Sequence, residues 1–268
     1  MLFVAEPYRH LFQQLGLQSV EAISRFFLGT TRSDTSKVVV RPATVPTSDD
    51  GPLDVFFKQY HYARPAWTFV GRRSKARCEF ENYGVFAQLH LATAEPMAVG
   101  EDRDALGRLR RAFILTRAIP DAQTLVEFMQ GPARDRSQTR IRKLRRELIS
   151  QLAAMTRRIH AAGFFHHDLV WRNVLVTNAA SAGEEARLWW IDCPRGKFTR
   201  WSIARRRRRL KDLASLDKPA GRWCTRGERV LFVKRYLEVT RLNEAAKRLI
   251  RDTLRYRKQR WPEDWDGG

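Results

Sequence analysis

His166-His167-Asp168-Leu169-Val170-Trp171-Arg172-Asn173 is the stretch of this chain best equipped for chemistry. Its spacing is His-x-Asp-Leu-x-x-x-Asn. An aspartate in such a loop can accept the proton of an attacking hydroxyl. An asparagine five residues later can turn back and hold a divalent ion against phosphate oxygens. The apolar run Val174-Leu175-Val176 then leaves the site as a strand. Nineteen residues after Asn173, Trp189-Trp190-Ile191-Asp192 reads as a second apolar strand ending in an acid, where a second metal ligand belongs. The small, polar linker Asn178–Arg187 suits a hairpin between the two strands. The rival reading is a polar hairpin with a structural aspartate at each end.

The elements that must position these residues follow from periodicity. Arg140 to Ala162 predicts a long helix, with Ile141, Leu144, Leu148, Leu152, Met155 and Ile159 at steps of three and four. Gly163 closes it and delivers the chain to the loop. Val20 to Leu28 reads as a short helix and Val38-Val39-Val40 as a strand. Thr44 to Pro52 reads as a turn, and Gln130 to Ser137 as a loop. Leu53 to Tyr60 and Ala112 to Thr116 are β-rich. After residue 200 the pattern is helical, over Arg229 to Val239 and Asn243 to Arg257, and Trp261-Pro262 ends the regular part.

Lys58 sits inside the apolar strand Leu53–Tyr60. Burying an ammonium unpaired is costly. Either the strand is an edge with Lys58 in water, or Lys58 has a partner. The plan of protein-kinase-like phosphotransferases supplies one: a strand lysine binds nucleotide phosphates and pairs with a helix glutamate. Ser74 can cap a helix running to Leu89. Its Glu79 and Glu81 both come into question, about 200° apart on the helix. Glu79 is preferred, because Tyr83 and Phe86 follow it at i+4 and i+7. By strand alternation Phe56 shares the face of Lys58.

Composition bounds the partners. The chain has 268 residues, 43% of them hydrophobic, enough for a real core. Three cysteines, Cys78, Cys193 and Cys224, form no disulfide framework and no zinc pattern. No cleavable signal pattern and no apolar run of about 18 residues occurs, so the expected compartment is the reducing cytoplasm. The net charge is +21 and the isoelectric point about 10.9. Such a field attracts nucleic acid, anionic lipid or phosphorylated glycans. The densest patch is Arg205-Arg206-Arg207-Arg208-Arg209 with Lys211, either a solvated face or a dock for an anionic surface. No nucleic-acid module accompanies it, so nucleic acid is not the expected partner.

With these pieces placed, the chain resembles the lipopolysaccharide core kinases of Gram-negative bacteria, the Kdo/heptose kinase family with its InaA-like branch. The residues that carry this are Val55-Phe56-Phe57-Lys58, Ser74 to Glu79, Ile114-Leu115-Thr116, Ile159 to Gly163, His166 to Asn173, Ile191-Asp192 and Lys211-Asp212-Leu213-Ala214. They span roughly residues 30 to 260. The resemblance implies an α+β, bilobal protein-kinase-like fold: a small β-rich lobe over residues 1–117 and a mainly helical lobe over residues 118–268, with Arg117–Pro120 as the hinge. It implies transfer of the γ-phosphate of ATP, with magnesium, to a heptose or Kdo hydroxyl of the inner core. The enzyme would work peripherally at the anionic cytoplasmic face of the inner membrane. The implied roles are Asp168 as base, Asn173 and Asp192 as magnesium ligands, and Lys58 on the α/β-phosphates, aligned by Glu79. The bulky ring of Phe56 would crowd or stack on the adenine. Arg172 would meet the transferring phosphoryl or the anionic acceptor, or else form a structural salt bridge. Asp212 would brace the catalytic-loop backbone. Trp261 and Trp265 are either interfacial or ordinary packing.

Departures from the kinase pattern set further expectations. No Gly-x-Gly-x-x-Gly precedes Lys58, and Gly29 to Pro42 holds one glycine, so the nucleotide grip must use other contacts. Position 167 is His where many protein kinases carry Arg, so no phosphorylated activation-loop switch is expected. Asp192 is followed by Cys193-Pro194, and proline stiffens that turn. The alternatives are a kinase-like enzyme acting on protein or another small molecule, and a non-catalytic basic module that would bind no magnesium nucleotide.

Overall fold

The computed structural model describes residues 1–29, 38–47, 51–177 and 186–264. Most of the Gly29–Pro42 stretch, the centre of the 44–52 turn, nearly all of the Asn178–Arg187 linker and Trp265 lie outside the described residues. The chain divides into two compact units. The first comprises Met1–Val85, Ala94–Ile119 and Cys193–Arg195; the second comprises Phe86–Thr93, Pro120–Asp192 and Gly196–Gly268.

The first unit is built on a sheet. Its elements are β1 (Leu2–Val4), α1 (Arg9–Gln14), α2 (Val20–Leu28), β2 (Val38–Val45), β3 (Leu53–Ala66), α3 (Lys75–Gln88), β4 (Pro96–Arg103) and β5 (Leu109–Arg117). The last three residues of α3 group with the second unit. The sheet order is β1-β4-β5-β3-β2, all antiparallel. β3 is an interior strand between β2 and β5, with Val40 on one side of Lys58 and Ile114 on the other. Strand alternation puts Val55 and Phe57 into the core, where Phe57 stacks on Phe27 at 4.9 Å and meets Phe113 at 5.5 Å. A buried Phe of this kind contributes about 1.5–3 kcal/mol. Two sequence expectations need correcting. Thr44 and Val45 belong to β2 rather than to a turn, because they pair with Asp54 and Leu53. β3 also continues past Tyr60 to Ala66, with a register shift between His61 and Ala66.

The second unit is mainly helical. It holds β6 (Gln123–Thr124), α4 (Leu125–Gln130), α5 (Thr139–Ala161), β7 (Phe164–Phe165), β8 (Val174–Thr177), β9 (Arg187–Trp190) and β10 (Lys197–Phe198). α6 (Ser202–Trp223), α7 (Arg226–Leu237) and α8 (Glu244–Arg260) follow. β8 and β9 pair antiparallel as the hairpin expectation required, with β6 on the outer side of β8. β9 stops at Trp190, so Ile191 and Asp192 lie just beyond the strand. α7 begins at Arg226 rather than Arg229, because Thr225 and Glu228 form a capping box ahead of it.

The buried stripe of α5 is not wholly apolar. Leu148, Leu152 and Ile159 lie in it, but so does Arg145. Arg145 is held by Glu228 at 2.6 and 2.9 Å, and it donates to the carbonyls of Trp223 at 2.7 Å and Ala133 at 3.0 Å. A guanidinium with every branch occupied can be buried where a lone one cannot. Among the described residues no helix is long and apolar enough to cross a membrane.

Candidate active site

The catalytic-loop residues are placed by main-chain hydrogen bonds. Gly163 follows α5 at φ 78°, a left-handed conformation natural to glycine, and turns the chain into β7. β7 pairs with β10 through Phe165–Lys197 and Phe164–Phe198. His166 and His167 come next, and His167 has φ 67°, which is strained for a side-chain-bearing residue. Asp212, buried in α6, offsets that strain. Its Oδ2 accepts from the His166 backbone N–H at 2.8 Å and its Oδ1 from the His167 N–H at 2.9 Å. Asp212 thus makes the contact expected of it from the sequence.

Asp168 follows, half-buried. The side-chain amide of Asn173 donates to the Asp168 carbonyl at 2.9 Å, as does the Val170 N–H at 3.0 Å. Committing the Asn173 nitrogen this way leaves its Oδ1 as a ligand atom. A turn of 3-10 helix over Trp171–Asn173 carries the loop, pinned by Trp171 Nε1 donating to the Leu216 carbonyl at 2.9 Å. The Ile191 N–H donates to the Asn173 carbonyl at 3.0 Å, continuing the β8–β9 ladder by one step. Asp192 is therefore one residue from a neighbour paired with Asn173, and it too has a left-handed φ, 57°. Arg172 is exposed and makes no ion pair among the described residues, so the salt-bridge alternative has no partner here.

The electrostatics centre on the two histidines. Burial pushes His166 below its ordinary value, opposed by the charges of Asp212, Asp168 and Asp192. Its ring stacks on Phe86 at 5.9 Å. Burial pushes His167 down to about 4, with Lys211, Arg208 and Lys197 adding to the fall against the pull of Asp212. Both rings are neutral at pH 7. Burial raises Asp212, but the hydrogen bond and charge of His160 and the His166 N–H outweigh it and hold the carboxyl below its usual range.

Among the described residues no cluster of three or more His, Cys, Asp or Glu could hold a metal by itself. Asn173 Oδ1 and the Asp192 carboxylate are two hard oxygen donors. That set suits magnesium, which is bound through one or two carboxylates and completes its shell with phosphate and water.

In the first unit, Lys58 Nζ lies 3.0 Å from Glu79 Oε2. Glu79 is buried and also accepts from the hydroxyls of Tyr60 and Tyr83, each at 3.1 Å. Glu81 turns to the surface instead, pairing with Arg73 at 2.6 Å and Arg77 at 3.0 Å. Ser74 caps α3 through the Arg77 N–H. Phe56 alternates out of the core on the Lys58 face and is 43% exposed. Within this unit Asn82 Nδ2 donates to the carbonyl of buried Cys193 at 2.7 Å. Nothing in the sequence signalled that contact. His160 was also missed. Its Nε2 is 3.3 Å from Asp212 Oδ2 and its Nδ1 is 2.8 Å from the Tyr236 hydroxyl, so it backs the brace from α5.

Comparison with known proteins agrees with this geometry. Residues 58–236 match the model of the lipopolysaccharide kinase (Kdo/WaaP) family. A solved structure of WaaP in complex with acyl carrier protein aligns with a TM-score of 0.68 and 22% identity, over 99% of this chain and 100% of that one. The PAN3 pseudokinase of Drosophila melanogaster aligns at 0.45 and 13% identity, over 94% of this chain and 61% of that one. No curated protein sequence matches the chain.

Proposed function

The chain belongs to the lipopolysaccharide kinase (Kdo/WaaP) family, and from that premise we propose that it moves the γ-phosphate of ATP onto a heptose or Kdo hydroxyl of the inner core. The fold is protein-kinase-like and the enzyme is a phosphotransferase. We assign residues 1–117 as the nucleotide-binding lobe and 118–268 as the catalytic lobe. The observation that carries the reading is the Asp168 loop, fixed at one end by Asp212 and at the other by the Asn173 amide.

Asp168 orients the acceptor hydroxyl and takes its proton. In a loose transition state that proton leaves late, so positioning counts for more than basicity. Asn173 and Asp192 would hold magnesium, which when bound neutralises phosphate charge. Lys58 binds the α/β-phosphates, its ammonium aimed by Glu79. Phe56 supplies an apolar face for the adenine. Exposed Arg172 contacts the transferring phosphoryl or the anionic acceptor. The +21 charge supports peripheral contact with the anionic cytoplasmic face of the inner membrane.

An acyl carrier protein is a second proposed partner, on the strength of the solved WaaP complex. A cavity of about 300 Å³ whose lining includes Leu152, Leu216, Phe232, Val233, Leu249 and Leu254 supports it, being apolar enough for an acyl chain.

The test is phosphate transfer from γ-labelled ATP with magnesium to dephosphorylated lipopolysaccharide core, wild type against Asp168→Asn. Transfer that collapses in the variant is the expected result, and mapping the product names the hydroxyl. Nucleotide binding without transfer would redirect the search to another acceptor. No magnesium-dependent nucleotide binding would overturn the reading in favour of a basic binding module.

A further inference from the structure

The segment joining β10 to α6 displays apolar side chains to solvent in the most basic part of the chain. Trp201 is 82% exposed and Ile203 85%, the largest exposures among the big hydrophobic side chains of the described residues, and Phe198 is 56% exposed. The three lie within six positions of one another, and Trp201 and Ile203 line one concavity; a cluster of large exposed apolar side chains marks an interaction surface. Between Gly196 and Lys211 the sequence has eight basic side chains and no acidic one.

The segment is held, not loose. Lys197 and Phe198 pair with β7, and the Thr199 N–H donates to the Gly163 carbonyl at 2.9 Å. Thr199 is buried, and its hydroxyl accepts from Arg208. The Phe198 ring meets Phe164 edge-on at 5.3 Å while its outer face stays in water. Trp201 then caps α6 from outside, and Ile203, Arg207 and Lys211 follow at i, i+4 and i+8 on one helix face. This face opens a concavity of about 790 Å³ whose walls include His167, Trp201, Ile203, Arg207, Lys211 and Arg260. The apolar and basic groups therefore share the face on which the residue preceding Asp168 lies.

We propose that Phe198, Trp201 and Ile203, ringed by Lys197, Arg200, Arg206 and Arg207, form a docking surface for an anionic lipid bilayer. Charge complementarity selects that occupant. A basic collar attracts acidic headgroups, and an aromatic with a branched aliphatic tip enters the headgroup–acyl boundary. A second copy of a +21 chain would bring two like-charged collars together. The inference deepens the proposed function by naming the surface that presents the catalytic loop to a membrane-anchored acceptor, and it rests on that reading for its purpose.

The experiment is co-sedimentation of the full-length protein with vesicles free of lipopolysaccharide, one set of phosphatidylglycerol and phosphatidylethanolamine, the other of phosphatidylcholine alone. Wild type should bind the anionic vesicles and release as salt rises. Trp201→Gln/Ile203→Gln should weaken partitioning by about tenfold or more, since half-burying two such side chains is worth at least that. Arg206→Gln/Arg207→Gln should weaken binding to the anionic vesicles by about fivefold per charge and so reduce the preference for anionic lipid. All four side chains are exposed, Arg206 while also paired with Asp252 at 2.9 Å, and unchanged melting curves confirm that the variants fold. Wild-type binding by Trp201→Gln/Ile203→Gln overturns the proposal. So does a dimer in sedimentation equilibrium that these substitutions dissolve, or a defect confined to deacylated core oligosaccharide, which would make the patch a glycan subsite. Phosphate transfer plays no part in this readout. A protein that docks on vesicles but transfers no phosphate would therefore sink the proposed function and leave the docking surface standing.

Discussion

Asp212→Asn removes little volume and tests whether one carboxylate holds the catalytic loop. The wild-type group is ionised and accepts two backbone N–H donors, at 2.8 and 2.9 Å, on different oxygens. Asparagine keeps one acceptor and turns an –NH₂ toward the other N–H. One charge-assisted bond is lost, worth about 1.5–3 kcal/mol, and a buried donor is left unmet at about 1–3 kcal/mol. The sum is about 2.5–6 kcal/mol, a large share of the stability of an ordinary domain. At roughly 2–4 °C per kcal/mol for a chain of this size, the melting transition should fall by about 5–24 °C. The strained His167 backbone relaxes first, and Asp168 is the next residue. A displacement of about 1 Å there costs about a hundredfold in kcat. Nucleotide affinity should change little, because Lys58 is held by Glu79. Calorimetry, steady-state transfer assays and binding of a fluorescent ATP analogue read these three quantities. Glu147→Gln, which loses only a surface pair with Lys143, is the control. An Asp212→Asn protein with unchanged melting and kcat would refute the brace. A variant that lost nucleotide affinity in step with kcat would show general unfolding instead.

Three further outcomes are expected. Glu79→Gln removes a buried carboxylate paired with Lys58 and should cost about 1–3 kcal/mol in stability and about tenfold in nucleotide affinity, whereas Glu81→Gln should change neither; fluorescent-nucleotide titration separates the two. His167 titrates at about 4 folded and near 6.5 unfolded. The unfolded chain therefore binds more protons in that window, so the contribution of His167 to stability is complete above about 6.5 and is lost as pH falls toward 4. The full shift would be worth about 3 kcal/mol, reduced to about 1–2 kcal/mol by solvent screening of a partly buried ring. Urea denaturation from pH 7 to 4 should show that loss, and His167→Gln should flatten it. Gly100→Ala would place a Cβ 2.2 Å from the Phe113 ring in β5 and should cost about 1–3 kcal/mol. Gly84→Ala, with open space around its Cβ in α3, should be neutral or stabilising by up to about 1 kcal/mol; paired melting curves decide both.

What could be read from the sequence was whatever chemistry and local spacing dictate together. The Asp168–Asn173–Asp192 series was legible because a loop, two short strands and two acids had to fall in one order. The choice of Glu79 over Glu81 was legible because Tyr83 and Phe86 follow Glu79 at i+4 and i+7, and the structure sends Glu81 to Arg73 and Arg77. β1 and β4 were not legible. β1 is three residues long and pairs with residues 98–100, almost a hundred positions away. β4 carries Gly100, Glu101 and Asp102, which weaken any strand pattern. α4 announced itself by Thr124 and Glu127, a capping box passed over because the helix behind it is only six residues long. Arg145 and His160 defeat periodicity for another reason. Each occupies a core position of α5 as a polar residue, and its partners, Glu228 for one and Asp212 with Tyr236 for the other, lie on helices 50 or more residues away.

The same distinction explains the patch beside α6. In a sequence, Phe198, Trp201 and Ile203 look like core residues, and only the exposures of the folded chain say otherwise. Aromatic and aliphatic side chains are normally drawn inward by about 1.5–3 kcal/mol each. Here the chain anchors Thr199 inside and leaves its apolar neighbours out. A fold that meets no external partner at this face would gain by burying them or replacing them with polar residues. The arginines around them prevent burial against another part of so basic a chain, and they favour an occupant that is both anionic and apolar. A phospholipid surface has both properties in one layer, which a soluble glycan lacks.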